Sequence, residues 1–195
     1  MKYFFVSLLI ILSGCTQAQK SSIDEILIVY LSRTNNTKAV AEIIHKQVGG
    51  KLVALELVTP YPENYRSTVA QVVRENETGY LPPLKNRIDN IENYKTIFLG
   101  FPTWGMKLPP PVKTFLTQYK LNNKKVILFN TNGGYGKGSS FETVKELCVG
   151  CIIPEGFSTT GGFENEGRLL EIRNEKAIAV NKDVIKWLRK IKMIF

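Results

Sequence analysis

The chain has 195 residues, 44% of them hydrophobic and 22% charged, which excludes an intrinsically disordered polypeptide and suits one ordinary domain with a short extension. The net charge of +9 favours anionic ligands and surfaces. The basic residues are spread along the chain with no dense Lys/Arg block and no nucleic-acid motif, so nucleic acid is not an expected partner.

Met1–Cys15 reads MKYFFVSLLIILSGC: one lysine, then the apolar run Tyr3–Leu12. A membrane-spanning helix needs about 20 apolar residues, and this run has instead the length of a signal-peptide hydrophobic region. Leu12-Ser13-Gly14-Cys15 resembles the bacterial lipobox. That resemblance implies a signal peptide over residues 1–14, lipidation of Cys15, and an exported protein anchored by lipid to a cell-envelope membrane. A plain secretory signal and an uncleaved anchor are the alternatives. Thr16–Ser22 is polar and aperiodic and reads as a tether, leaving 23–195 as the folded domain. The N-x-T sequons at Asn35 and Asn76 are chance matches in such a protein.

Within the domain, Ile26–Leu31 (ILIVYL) is a short apolar, β-branched run, the pattern of a strand buried on both faces. Thr37–Val48 has helical spacing, with Val40, Ile43, Ile44 and Val48 on one face, and Gly49-Gly50 ends it. Lys51–Leu57 predicts a second strand, Tyr65–Glu75 a helix carrying Val69, Val72 and Val73, and Ile88–Tyr94 a helical turn. Thr96–Phe101 predicts a strand, Pro110–Gln118 a helix with proline in its first turn, Val126–Asn130 a strand and Ser140–Cys148 a helix. Cys151–Phe157 predicts the last strand and Lys176–Lys192 the closing helix. Alternating strands and helices imply a three-layer α/β fold, a doubly wound five-stranded parallel sheet, which binds ligands beyond the carboxyl ends of its strands.

The loops at those ends carry suitable chemistry. After the first strand, Ser32-Arg33-Thr34-Asn35-Asn36-Thr37 opens a helix with hydroxyls and amides, the setting for a phosphate at a helix N-terminus and equally for an ordinary N-cap. It is neither a Walker loop nor a dinucleotide fingerprint. Asn35 and Asn36 tolerate left-handed backbone. After the middle strand come Pro102, Thr103, Trp104, Gly105 and Met106, and Leu108 to Leu116 follow with three prolines. This stretch forms a rigid apolar wall for a flat ring, or a core and rim. After the next strand come Asn132, Gly133, Gly134, Tyr135, Gly136, Lys137 and Gly138. Here the glycines allow close backbone approach, Tyr135 can stack, and Asn132 and Lys137 can meet ligand oxygens.

The first loop resembles the flavodoxin phosphate loop S/T-x-T-G-x-T, with Asn35 where that pattern has glycine. The second resembles the P-x-W-x-x-x-x-P-P-P-V-x-T-F-L segment of flavodoxin-family proteins from anaerobic bacteria, with Gly105 where many relatives carry an aromatic. The third matches the family's third flavin loop, and the resemblance spans roughly Glu25–Lys192. It implies sheet order 2-1-3-4-5, FMN as a non-covalent cofactor held by these three loops, Trp104 as first choice to stack on the isoalloxazine ring, and electron transfer or oxidoreductase activity.

Cys148-Val149-Gly150-Cys151 straddles the end of a helix and the start of a strand. A structural disulfide, two buried thiols and a redox pair are all compatible with that spacing; zinc is not expected without a second pair. His45 is assigned no role. Classical flavodoxin carriers are acidic, so this basic chain implies an acidic protein partner, or a small acceptor such as a quinone at the membrane. A non-redox binding module on the same fold is the alternative function.

Overall fold

The structure, a computed structural model, describes residues 25–195. The expected signal peptide 1–14, the lipidated Cys15 and the tether 15–22 lie outside the described residues.

The elements are β1 (Ile26–Tyr30), α1 (Asn36–Val48), β2 (Lys51–Ala54), α2 (Tyr65–Thr78), β3 (Thr96–Pro102), α3 (Pro110–Gln118), β4 (Lys125–Asn132), α4 (Ser140–Leu147), β5 (Phe157–Thr160) and α5 (Asn174–Lys190). The strands form one sheet in the order β2-β1-β3-β4-β5, every pair parallel. This is the doubly wound parallel sheet read from the alternating elements, in the order that the flavodoxin resemblance implies.

Side chains alternate across a strand, so β1, β3 and β4 each feed both faces. Leu27, Val29, Ile97, Leu99, Val126 and Leu128 point to the side covered by Val112 and Phe115 of α3 and Val144 of α4. Ile28, Phe98, Ile127 and Phe129 point to the side covered by Val40 and Ile44 of α1 and Val184 and Leu188 of α5. Each fully buried phenylalanine of this core contributes on the order of 1.5–3 kcal/mol. α2 lies outside these layers, joined to α3 where Lys113 donates to Asn76 Oδ1 at 2.8 Å.

The last strand differs from the sequence expectation. Cys151–Phe157 is not a continuous strand: Ile152 makes a single bridge to Lys125, and pairing resumes only from Phe157 opposite Phe129. Pro154 has no N–H to give a ladder, and Ile152 is 62% exposed rather than turned into the core. Cys148 and Cys151 are joined in a disulfide that ties this segment to the end of α4. The strand that forms, FSTT, is polar because it is the sheet edge. β2 is also shorter than predicted; Leu57 pairs instead in an antiparallel bridge with Leu84.

Candidate functional site

At the carboxyl ends of β1, β3, β4 and β5, where the crossovers leaving β1 and β3 run in opposite directions, the loops enclose a crevice of about 410 Å³. That lies within the usual range for small-molecule sites, about 300–1,000 Å³.

Its polar end is built on the loop after β1. Asn35 is left-handed, φ 63°, which turns the chain sharply into α1. The first N–H groups of a helix lack intrahelical acceptors. That of Lys38 is taken by Ser32 Oγ at 3.2 Å, leaving those of Asn36 and Thr37 at the cavity end. No acidic residue stands in the first turn of α1 to oppose an anion. Beneath them the buried hydroxyls of Thr37 and Thr131 meet at 2.8 Å. One such bond uses one proton, so a second hydroxyl proton is left for a ligand.

Two anticipated ligands prove to be braces. Asn36 accepts from the backbone N–H groups of Glu171 and Ile172 at 2.9 and 3.0 Å and donates to Thr34 Oγ1 and Leu169 O. Its amide therefore ties the first loop to the segment before α5. Arg33 donates from Nε to Glu164 at 2.8 Å, from Nη1 to Pro62 O at 2.9 Å and from Nη2 to Glu63 O at 2.7 Å. It clamps the loop after β5 and the segment before α2 onto the first loop.

The apolar end follows β3. Gly105 and Met106 both have positive φ, 56° and 61°, and Trp104 and Lys107 pair across them. This is a tight type I′ turn, whose positive φ at the first central position suits glycine. Ser139 donates its N–H to Met106 O at 3.0 Å, and a Cβ on Gly138 would lie 2.1 Å from that oxygen. The third loop therefore rests directly on the turn of the second. Asn132 shapes that third loop from inside: its Oδ1 accepts from Gly134 and Gly136 N–H at 2.9 and 3.0 Å. The same amide binds Asn130 and Ser158, so it is a brace rather than a free ligand contact.

The crevice brings together Arg33, Thr34, Asn36 and Thr37; Pro102, Thr103, Trp104, Gly105 and Met106; and Asn132, Gly133, Tyr135 and Gly136. It does not include Ser32, Asn35, Gly134 or Lys137. Ser32 caps α1, Asn35 turns outward and is exposed, and Gly134 is exposed on the loop crest. The Lys137 ammonium sits over the ring of Phe141, 4.7 Å from its centroid, a cation–π contact that turns it from the crevice.

Two walls went unread in the sequence. One is α2, whose Tyr65, Val69 and Val73 face the crevice while 40, 42 and 48% exposed. Their i, i+4, i+8 spacing was the available signal. The other is Gly161-Gly162-Phe163 after β5, a turn signal hidden by placing the last strand too early.

A family model described as flavodoxin matches residues 25–169. The fold is similar to that of a candidate flavoprotein from Bacteroides eggerthii DSM 20697, 26% identical, covering 86% of this chain and 98% of that one, with a TM-score of 0.67. A flavoprotein from Lactobacillus acidophilus NCFM, crystallised in complex with FMN, is 23% identical, covering 69% of this chain and 92% of that one, with a TM-score of 0.61. An archaeal flavodoxin shares the fold at 15% identity, covering 86% of this chain and 98% of that one, with a TM-score of 0.53. No curated protein matches the chain.

Proposed function

Since the chain belongs to the flavodoxin family, we propose that it is an FMN-dependent redox protein, an electron carrier or oxidoreductase, working at a membrane surface. FMN is the cofactor, and the crevice has a fitting end for each half of it. The phosphate end has the Asn36 and Thr37 N–H groups at the start of α1 and the Thr37–Thr131 hydroxyl pair. The ring end has Trp104, the Gly105-Met106 turn and the glycine loop after β4. When bound, FMN supplies one- or two-electron transfer at its ring. The protein's own residues bind the phosphate, orient the ring between loops and exclude water with apolar walls.

The single observation that carries this reading is the convergence of a helix-start anion site and an aromatic wall on one crevice at the switch point of the sheet. An absorption spectrum of the domain after incubation with FMN and desalting tests it. Retained flavin bands that bleach with dithionite are expected, and a colourless protein overturns the redox reading in favour of a non-redox module. The membrane part of the proposal is supported by the lipobox-like Leu12–Cys15 and the polar residues after it. Full-length chain in the membrane fraction, released by Cys15→Ser, is the expected result; equal distribution of both forms overturns it. The basic surface and the envelope location favour an acidic protein donor and a membrane acceptor such as a quinone.

A further inference from the structure

Two tryptophans line very different places, and they are held differently. Trp187, buried under the sheet, donates its indole N–H to Glu155 O at 2.9 Å. Trp104, half-buried on the crevice wall, makes no such bond to a described residue. Its indole instead packs against the Tyr61 ring in a T-shaped pair, ring centroids 5.2 Å apart and planes at 90°, a geometry aromatic pairs favour.

Tyr61 is itself fixed. Its hydroxyl donates to Glu75 Oε2, and the other carboxylate oxygen accepts from Gln71 Nε2 at 2.8 Å. Glu75 is only 6% exposed and enters no ion pair among the described residues. Burial and the adjacent carboxylate hold the Tyr61 hydroxyl above its ordinary range, so it remains the donor. A buried carboxylate without a cation is costly, and an apolar side chain at this place in α2 would pack more cheaply. What the carboxylate does, and an apolar group cannot, is anchor the phenol.

We propose that Tyr61 and Glu75 are positioning residues for Trp104: Glu75, on α2, holds the Tyr61 hydroxyl, and the Tyr61 ring sets the indole plane that faces the flavin. This rests on the reading of the crevice as an FMN site. α2 also presents Tyr65 and Val69 to the same crevice.

Acrylamide quenching of tryptophan emission tests the proposal in the FMN-free protein, because buried Trp187 is shielded and half-buried Trp104 is only partly so. Trp104→Phe identifies the quenchable signal. Tyr61→Leu is expected to raise the quenching of Trp104 severalfold and to restore part of the fluorescence of bound FMN. Tyr61→Phe, which keeps the ring, and Glu75→Gln, which keeps an acceptor, are expected to fall between wild type and Tyr61→Leu. Should Tyr61→Leu not fold, the other two variants decide. Wild-type quenching and wild-type FMN fluorescence in every variant, with only the melting temperature lowered, overturns the proposal and leaves the pair as a staple of α2. If the wild-type protein takes up no FMN, the cofactor reading fails by itself, and the quenching series still decides whether Tyr61 and Glu75 position Trp104.

Discussion

Replacing Arg33 separates a clamp from a charge. The guanidinium spends three of its donors on Glu164, Pro62 O and Glu63 O, with side chains of the ion pair 18 and 20% exposed. An ion pair still reached by solvent contributes about 1 kcal/mol. Each bond to a carbonyl adds about 1 kcal/mol more, so Arg33→Ala should cost about 2–3 kcal/mol. For a domain of this size that is a fall of about 5–10 °C in melting temperature. The three segments it joins frame the crevice, so FMN affinity should fall about tenfold, about 1.4 kcal/mol. Lysine carries the charge but lacks the planar fork, and one ammonium cannot reach all three acceptors. Arg33→Lys should therefore resemble Arg33→Ala in both thermal melts and FMN titration. If Arg33→Lys behaves as wild type, charge alone suffices and the clamp argument is wrong.

Thr37→Val keeps the volume but removes the hydroxyl paired with Thr131, and should weaken FMN by about 1–3 kcal/mol in a titration of the apo-protein; unchanged affinity would remove Thr37 from the phosphate end. Gly138→Ala combines a positive φ of 56° with a Cβ 2.1 Å from Met106 O, and should lower stability by about 2 kcal/mol or more. A urea midpoint equal to wild type would show that the third loop does not rest on the turn. Reducing the Cys148–Cys151 disulfide, which closes a very short loop, should cost about 2 kcal/mol on the chain-entropy model. Melts with and without reductant, beside a Cys148→Ser and Cys151→Ser double variant, should agree; identical curves in all three would leave the bridge without a stabilising role.

The amino-acid sequence by itself determined the doubly wound sheet and three of the loops that frame the crevice. Apolar runs such as Ile26–Tyr30 and Thr96–Phe101 can only be buried on both faces, and the helix periods between them force parallel pairing. The loop chemistry is local, so hydroxyls at a helix start and glycines after a strand show in the letters. Only the tertiary structure decided how those residues are used. Arg33, Asn36 and Asn132 read as ligand groups because they are polar and adjacent to the site, yet their partners lie in Pro62, Glu164, Leu169 and Ser158, far along the chain. The edge strand was misplaced because Ile152 is apolar yet exposed, held there by the disulfide segment and Pro154 rather than by its own hydropathy. The α2 wall was missed for the same physical reason: periodicity tells that Val69 and Val73 share a face, and only packing tells whether that face meets a core or a crevice.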